Sequence, residues 1–434
     1  MTTVDPRTAA RRFAWLSALR WLPSGLIIPV MVLLPTARGL SLASVGGLFA
    51  LHSLLVAALE LPTGGLADAW GRRNVLLLSG ALGVATTVVF AVARDVPTFA
   101  VAMVLLATSR ALGSGPLEAW YVDTVHATDP DGDIRTGISR GEAAEALGLC
   151  VGAVGGGFLP RLFPSGDPAA LLVPLSAPVL LAGVVLLGWL AAVAVLVVEP
   201  PRPVGPRGWR GLLRDTPATV RAGVGVAASS RTVRLVLLSS VAAGAVLSAL
   251  EVLSPVRFAG LLGSTRDASG PFGVLVAVSF LAVAGGSAAV PTLARWLRSL
   301  RVVGLVASLL GAAALGWFAA VDGAVVLAAA YIACYLALGV LSPVKSELLH
   351  RSVGSAQRAT VVSVRSLASQ AAGAVGAVTL PALAAGAGYG WAFGVCAGVL
   401  TLGGLALLGA SPTPAGAAAD ADTPAMTAGS ETRS

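Results

Sequence analysis

A chain of 434 residues that is 56% hydrophobic and only 12% charged lacks the polar surface of a water-soluble domain, in which about a quarter of residues carry charge. Its formal net charge of +8 does not mark a nucleic-acid binder, because the basic residues are scattered between long apolar runs and form no basic domain. Cys150, Cys334 and Cys396 stand in apolar stretches without ligand-like spacing, so neither a disulfide framework nor a metal site organises the chain, and the three read as small core residues.

A helix needs about 20 mostly apolar residues to cross a bilayer. Residues 1–12 carry Arg7, Arg11 and Arg12 and read as a cytoplasmic N-terminal segment. Uncharged runs at 21–37, 40–59 and 74–93 supply three spans, the stretches 96–123 and 140–160 two more that contain ionisable residues, and 170–198 the sixth. The first run follows two arginines as a signal peptide would, but no small-residue cleavage site precedes the second, so it is expected to remain as span 1. Residues 199–234, rich in Pro, Gly and Arg, read as a cytoplasmic linker, with 208–224 forming an interfacial helix. Six further spans follow, including runs at 235–250, 302–321 and 323–344 and an uncharged stretch, 366–419, that Gly386, Gly388 and Gly390 divide in two. Residues 411–434 are expected to be a disordered cytoplasmic tail. Continuous runs of this length exclude the short alternating segments of a membrane β-barrel. The expected fold is an all-α membrane protein with twelve transmembrane helices in two six-helix bundles, residues 13–198 and 235–410.

Arginine placement orients the chain, since cytoplasmic loops carry the excess of Lys and Arg. With the N-terminus inside, only Arg38, Arg94, Arg161, Arg257 and Arg266 fall in outer loops, against Arg72, Arg73, Arg135, Arg140, the whole linker set, Arg295, Arg298, Arg301, Lys345 and others inside. Both termini are therefore expected in the cytoplasm, and the arginine-for-lysine bias points to a GC-rich bacterium and its cytoplasmic membrane. A weak internal repeat supports two parallel halves: Arg140, Glu145 and Gly148 stand at the same offsets as Arg365, Gln370 and Gly373.

Between spans 2 and 3 lies Gly64-Gly65-Leu66-Ala67-Asp68-Ala69-Trp70-Gly71-Arg72-Arg73, preceded by Glu60-Leu61-Pro62-Thr63. Gly64 permits close helix contact, Gly71 a backbone shape other residues resist, and Arg72 and Arg73 anchor the turn on the basic side. The segment resembles the signature loop of the major facilitator superfamily, and with helix count and linker the resemblance covers residues 10 to 410, toward transporters of the drug-efflux kind. It departs at Ala69, where the family often has a basic residue, and the second-half counterpart, residues 291–301, lacks an Asp. The resemblance implies an inner gate in which Asp68, Arg72 and Arg73 form a relay with an acid at the inner end of helix 4, here Asp123. The plainer alternative is that these charges only fix topology.

Charges inside spans are costly and usually face a cavity or a partner. Arg20 on span 1, Arg110 and Glu118 on span 4 and Glu251 on span 7 lie on helices that the resemblance places around a central cavity, and Glu60 stands near the inner end of span 2. Arg110, about 20 Å into span 4, is the leading candidate for proton coupling, and Arg110-Ala-Leu-Gly-Ser-Gly115 resembles the family's helix 4 motif with its Gln missing and a Gly shifted. Glu118, eight residues on, is expected on the same cavity wall or in a packing salt bridge with Arg110. Arg20 reads equally as a residue reaching for the surface, Glu251 as one at the outer interface, and Glu60 as a partner of the signature loop. Trp21, Trp120, Tyr121, Tyr331 and Tyr335 offer an aromatic surface or plain packing. Gly148, Gly152 and Gly156, four apart on span 5, predict a close helix crossing but not the fuller Gly-Pro signature of drug and proton antiporters.

No nucleotide-binding loop is present, so energy has to come from an ion gradient or the solute itself. The expected function is alternating-access transport of a small molecule, with protons as the coupling ion and export of partly apolar compounds, by a chain that works as a monomer without a cofactor. A proton-coupled or facilitated importer of a small, anionic nutrient is the alternative, favoured if the cavity is densely polar. A membrane enzyme or sensor is disfavoured, since His52, His126 and His350 are isolated.

Overall fold

The computed structural model describes residues 5–164, 167, 169–199, 225 and 230–411, with the side chains at 61–65, 68–69, 355–357 and 359 excluded. The expected interfacial helix at 208–224 and the tail at 412–434 lie outside the described residues. Among the described residues twelve helices are long and apolar enough to cross a membrane, and there is no strand.

The first half comprises α1 (Pro6–Ile27), α2 (Leu42–Trp70), α3 (Arg72–Val92), α4a (Val96–Gly113) with α4b (Pro116–His126), α5 (Arg135–Phe158) and α6 (Ala177–Leu196). The second comprises α7 (Arg231–Leu262), α8 (Thr265–Leu297), α9 (Leu300–Ala320), α10 (Ala324–Ser352), α11 (Ser355–Ala387) and α12 (Tyr389–Leu408). A 3-10 turn at Ile28–Val30 and a short helix at Leu33–Ala37 prolong α1, interrupted where Pro29 removes a backbone donor.

Packing repeats between the halves. Helix α1 lies on α5 and α6, α2 on α4a, and α3 on α4a and α6; six positions later, α7 lies on α11 and α12, α8 on α10, and α9 on α10 and α12. The two bundles meet through α2 with α11 and α5 with α8, which is one contact and its image under a pseudo-twofold. Glycines set the closeness inside each bundle. A Cβ on Gly148, Gly152 or Gly156 would fall 2.5, 2.3 and 2.1 Å from the carbonyl oxygens of Ala18, Leu22 and Leu26, so α5 rides directly on the α1 backbone. Such a crossing gains dispersion contact along its whole length, where lipid offers no hydrophobic drive to bring helices together.

The first and last described residues, Asp5 and Ser411, lie toward one face, called the terminal face below, where Arg12 donates to the Leu196 carbonyl at 3.0 Å and Thr232 to that of Ser411 at 2.7 Å. At the opposite face the bundles are clasped. Gly157 packs against Ser269 and Gly273, Ser269 Oγ donates to the Gly157 carbonyl at 2.8 Å, Arg161 donates to the Asp267 carbonyl at 2.5 Å, and Arg266 donates to those of Pro160 and Arg161 at 3.2 Å each. Outside the spans, Asp95 caps α4a, and Asp133, one residue before the cap position of α5, accepts from the Arg135 N–H and the Thr136 hydroxyl. Their hydrogen bonds, chiefly from Thr98 and Thr136, hold both carboxyls below the usual range.

Several helices outrun their apolar cores. Helix α7 continues through Pro255 to Leu262, so Arg257, expected in an outer loop, is a buried helical residue bonded to the Val321 carbonyl at 3.0 Å and to Asp322 at 3.3 Å. Helix α2 likewise continues to Trp70, well past its apolar run, and the turn before α3 is Gly71 alone.

Candidate functional site

A cavity of about 530 Å³ lies between the bundles, walled by the segment 28–32 that follows α1 and by residues of α2, α4a, α7, α8, α10 and α11. The far-face clasp closes it on one side, and it reaches toward the terminal face as far as Lys345. Its ionisable lining is Arg110, Glu251, His52 and Lys345, with Tyr331 and Tyr335 hydrogen-bonded to each other at 3.3 Å. Ser53, Ser248, Ser279, Ser369 and Gln370 add neutral polar groups, and Phe49, Phe272 and Phe280 supply rings.

Helix length sorts these groups into layers. Glu251 lies eleven residues before the end of α7, about 16 Å from the far face, and Tyr335 and His52 are at similar depth. Arg110, fourteen residues into α4a, is at about 21 Å, and Lys345, twenty-one residues into α10, at about 31 Å. Among the described residues Arg110, Glu251 and Lys345 make no hydrogen bond or ion pair with the protein, although Lys345 is only 7% exposed. His52, 8% exposed, has an unbonded Nε2.

Of the two readings of Glu251, cavity residue or outer interface, the structure shows the first: the length of α7 puts it deep in the cavity wall. Arg20 is not a residue reaching for the surface. It lies in the first bundle beside a smaller cavity of about 210 Å³, its guanidinium 5.9 Å from the Trp189 ring and filling the space a side chain on Gly113 would take. That cavity shares Arg110 and His52 with the larger one.

Span 4 is not one helix. Ser114 and Gly115 interrupt it, with Gly115 at φ 92° and Pro116 opening α4b without a backbone donor. Arg110 thereby sits in the last turn of α4a and Glu118 in the first turn of α4b, each at the helix end whose dipole favours its charge. The break separates them: Glu118 lines neither cavity, so the shared wall expected from a continuous helix is absent. Glu60 also lies outside both cavities and accepts a bond from Ser366 Oγ at 3.2 Å across the bundle interface. Of the aromatics, Tyr331 and Tyr335 face the large cavity and Trp21 the small one, while Trp120 and Tyr121 are buried core residues.

On the terminal face Arg72 pairs with Asp123 at 2.8 Å, joining the start of α3 to α4b. Arg73 donates its backbone N–H to the Glu199 carboxylate and its guanidinium to the Ala194 carbonyl at 2.6 Å, which ties α3 to the end of α6. Gly71 has φ 92°, and a Cβ there would meet Glu199 at 2.9 Å. The side chains at Gly64 and Asp68 lie outside the described ones.

Sequence reasoning missed Lys345, His52 and Glu199 as site residues. Lys345 carried a signal, as the sole lysine of the chain at the edge of an apolar run, and Glu199 as the acid opening an arginine-rich linker. Nothing in sequence alone separates His52 from a packed core histidine. Among the described residues no cluster of His, Cys, Asp or Glu is placed to hold a metal ion.

A family model described as Major Facilitator Superfamily matches residues 13–377. Compared by sequence with proteins of curated function, the chain has no significant match. Similar solved structures include the nucleoside transporter NupG, at TM-score 0.74 and 12% identity over 92% of this chain and 98% of that one. A bacterial homolog of the human lysosomal transporter Spinster, in an inward-facing and occupied conformation, aligns at 0.70 and 14% identity over 92% and 96%. A POT family transporter in complex with 5-aminolevulinic acid aligns at 0.68 and 15% over 94% and 96%. At these identities the likeness concerns the fold.

Proposed function

The chain belongs to the Major Facilitator Superfamily and is a multi-pass membrane transporter, and we propose that it couples a small molecule to protons by alternating access, rocking its two bundles about the central cavity. The observation that carries this is Glu251 facing Arg110 in one cavity, neither with a protein partner. A carboxylate inside a bilayer is costly unless it is neutralised, and a proton arriving from either side does that. Glu251 is the proton site and Arg110 the group that responds to its charge.

The arginine excess around the terminal face supports placing that face, with both termini, in the cytoplasm of a bacterial cell membrane. On that orientation the described conformation faces inward. Arg72 with Asp123, Arg73 with Glu199 and the signature Asp68 then belong to the inner gate, and Arg161 with Arg266 to the outer one. The bundles span 13–198 and 235–410 with 199–234 as linker, and one chain holds a complete cavity, which supports action as a monomer.

Two directions fit. Export of partly apolar compounds is supported by the rings and aliphatic side chains of the cavity, Phe49, Phe272, Phe280, Leu247 and Val276 among them. Uptake of a small anion is supported by Arg110 and Lys345, with Ser53, Ser248, Ser279, Ser369 and Gln370 as neutral polar groups in the lining. To test the coupling, purified protein is reconstituted into liposomes with a mixture of small metabolites and an imposed pH gradient, and accumulated solutes are identified by mass spectrometry. Glu251→Gln is expected to keep downhill exchange and lose gradient-driven accumulation. Undiminished accumulation by that variant removes Glu251 from the mechanism.

A further inference from the structure

We propose that the transported molecule is an amphipathic organic anion whose acidic group binds Arg110, and that it travels in the same direction as the proton. The inference rests on the reading of Glu251 as the proton site and deepens it.

Charge counting inside the cavity comes first. Arg110 and Lys345 are basic and Glu251 is the one carboxylate in the lining among the described residues, so with both basic groups charged the cavity carries a surplus of positive charge in either state of Glu251. Lys345 is 93% buried by its 7% exposure, and among the described residues no protein acceptor meets its ammonium. A buried cation without a partner is expensive, and a ligand that brings negative charge relieves the cost. The layering gives it a route: Lys345 stands nearest the mouth at the terminal face, Arg110 about 10 Å deeper, and Glu251 about 5 Å deeper still. An anion entering from that side meets two cations before it meets the carboxylate. Level with Arg110 and beyond it, Phe280, then Phe272, Tyr331 and Tyr335 form an aromatic wall on α8 and α10 that suits the apolar body of such a molecule.

The same layering fixes the relation to the proton. An acidic group seated on Arg110 shares the cavity with the Glu251 carboxylate at a depth about 5 Å away along the helix axes, and two negative charges in one cavity of low polarizability repel. A proton on Glu251 removes the repulsion and releases Arg110 from its attraction to Glu251. Each ligand therefore strengthens binding of the other, by reciprocity of linked equilibria, which is the requirement for movement together and the reverse of exchange. The groups facing Glu251 are Arg110 from α4a, His52 from α2, and Tyr331, Tyr335 and Lys345 from α10; the lining residues of α8 and α11 are uncharged. Among these Arg110 is the permanent cation at neighbouring depth, so Glu251 and the bound anion compete for it.

The test uses the full chain in detergent with phenylacetate, 4-phenylbutyrate and indole-3-acetate, each beside its amide and the amine of the same skeleton. Thermal unfolding reports binding, and a pH dye in weakly buffered solution reports protons. The carboxylates are expected to raise the unfolding temperature where amides and amines do not, with about one proton taken up per anion bound. Their affinity should weaken about tenfold per pH unit above the point at which Glu251 loses its proton. Glu251→Gln should bind the anions without proton uptake or pH dependence. Arg110→Gln should lose them, and Arg110→Lys should regain part. Binding of the amines with proton release would overturn the anion and the shared direction while leaving Glu251 as the proton site. Anion binding by the wild type without proton uptake would remove Glu251 from coupling. Silence from every carboxylate, or full binding by Arg110→Gln, overturns the proposal; the wild-type proton measurement decides the matter even if a variant fails to fold.

Discussion

The turns that join α2 to α3 and α8 to α9 occupy matching places in the two halves but are built differently. In the first, Gly71 has φ 92° and ψ 143°, a conformation closed to side chains, and the residues after it reach outward: Arg72 to Asp123 on α4b, Arg73 to Glu199 and the end of α6. In the second, Arg298 takes φ 53° and ψ 12°, a left-handed conformation an L-residue adopts at modest cost, and Arg301 reaches only the Leu408 carbonyl and Ser411 at 3.3 Å each. The acid nearest that turn, Glu347, is paired with Arg351 on its own helix. One half thus fastens three helices together through its turn, α3, α4b and α6, and the other only two, α9 and α12. A repeat preserved in backbone has diverged in charge, and the half with the complete signature is the one braced at the terminal face.

The largest difference expected between the halves lies in the glycines that the repeat makes equivalent. A Cβ on Gly148 would stand 2.5 Å from the Ala18 carbonyl oxygen, whereas on Gly373 it would meet its nearest neighbour, the Gly244 oxygen, at 3.6 Å. Gly148→Ala should force α5 off α1 and lower stability in detergent by about 1–3 kcal/mol. Gly373→Ala should be neutral or raise stability by about 0.5–1 kcal/mol, because alanine loses less entropy in a helix. Equal costs in thermal unfolding of the two variants would mean that the bundles are packed alike and that the contrast drawn at their turns is superficial.

The turns themselves come next. Gly71→Ala should destabilise by roughly 1–3 kcal/mol through backbone strain alone, since the Glu199 side chain it would touch can move aside. Arg298→Gly should gain up to about 1 kcal/mol by relieving left-handed strain, less what glycine loses in chain entropy. Opposite signs in paired unfolding curves would support the contrast, and a loss at both positions would show that Arg298 makes contacts that outweigh its strain.

How much of this was legible in advance differs along the chain for physical reasons. The number of spans and the split into halves follow from apolar runs, because the hydrocarbon layer filters composition directly. The closeness of Arg72 to Asp123 was implied by the loop's resemblance to the family signature, and the crossing of α5 at Gly148, Gly152 and Gly156 was readable from a spacing of four. Helix ends were not. An apolar run marks lipid contact, while the helix continues until a cap or break, so Lys345 looked peripheral and Glu251 stayed open between cavity and outer interface, and both line the cavity. The break in span 4 was written in Gly113-Ser114-Gly115-Pro116 but was overridden by counting the span as one rod, which misplaced Glu118. Arg20 and His52 depend on which helix face meets which neighbour, and a single sequence with hydrophobic residues on every face does not encode that periodically.

The smallest effect concerns the two ion pairs, and it discriminates most sharply between bracing and mere proximity. Arg72 and Asp123 are 15% and 34% exposed and join different helices; Arg351 and Glu347 are 59% and 41% exposed and stand i, i+4 on α10. Water screens the second pair, so a double-mutant cycle of Arg351→Ala and Glu347→Ala should return a coupling of about 0.3–0.5 kcal/mol that fades with salt. The first pair is better shielded and forms part of a tied set, so Arg72→Ala with Asp123→Asn should couple by about 1 kcal/mol and resist salt more. Because stability alone does not separate a brace from a gate, the same four proteins should be compared for solute exchange in liposomes. If the first pair holds a bistable turn, either single variant changes the exchange rate several-fold and the double variant no more than the larger single. Rates that follow stability alone, with the α10 pair behaving the same way, would reduce Arg72 and Asp123 to a topological anchor and erase the functional difference between the halves.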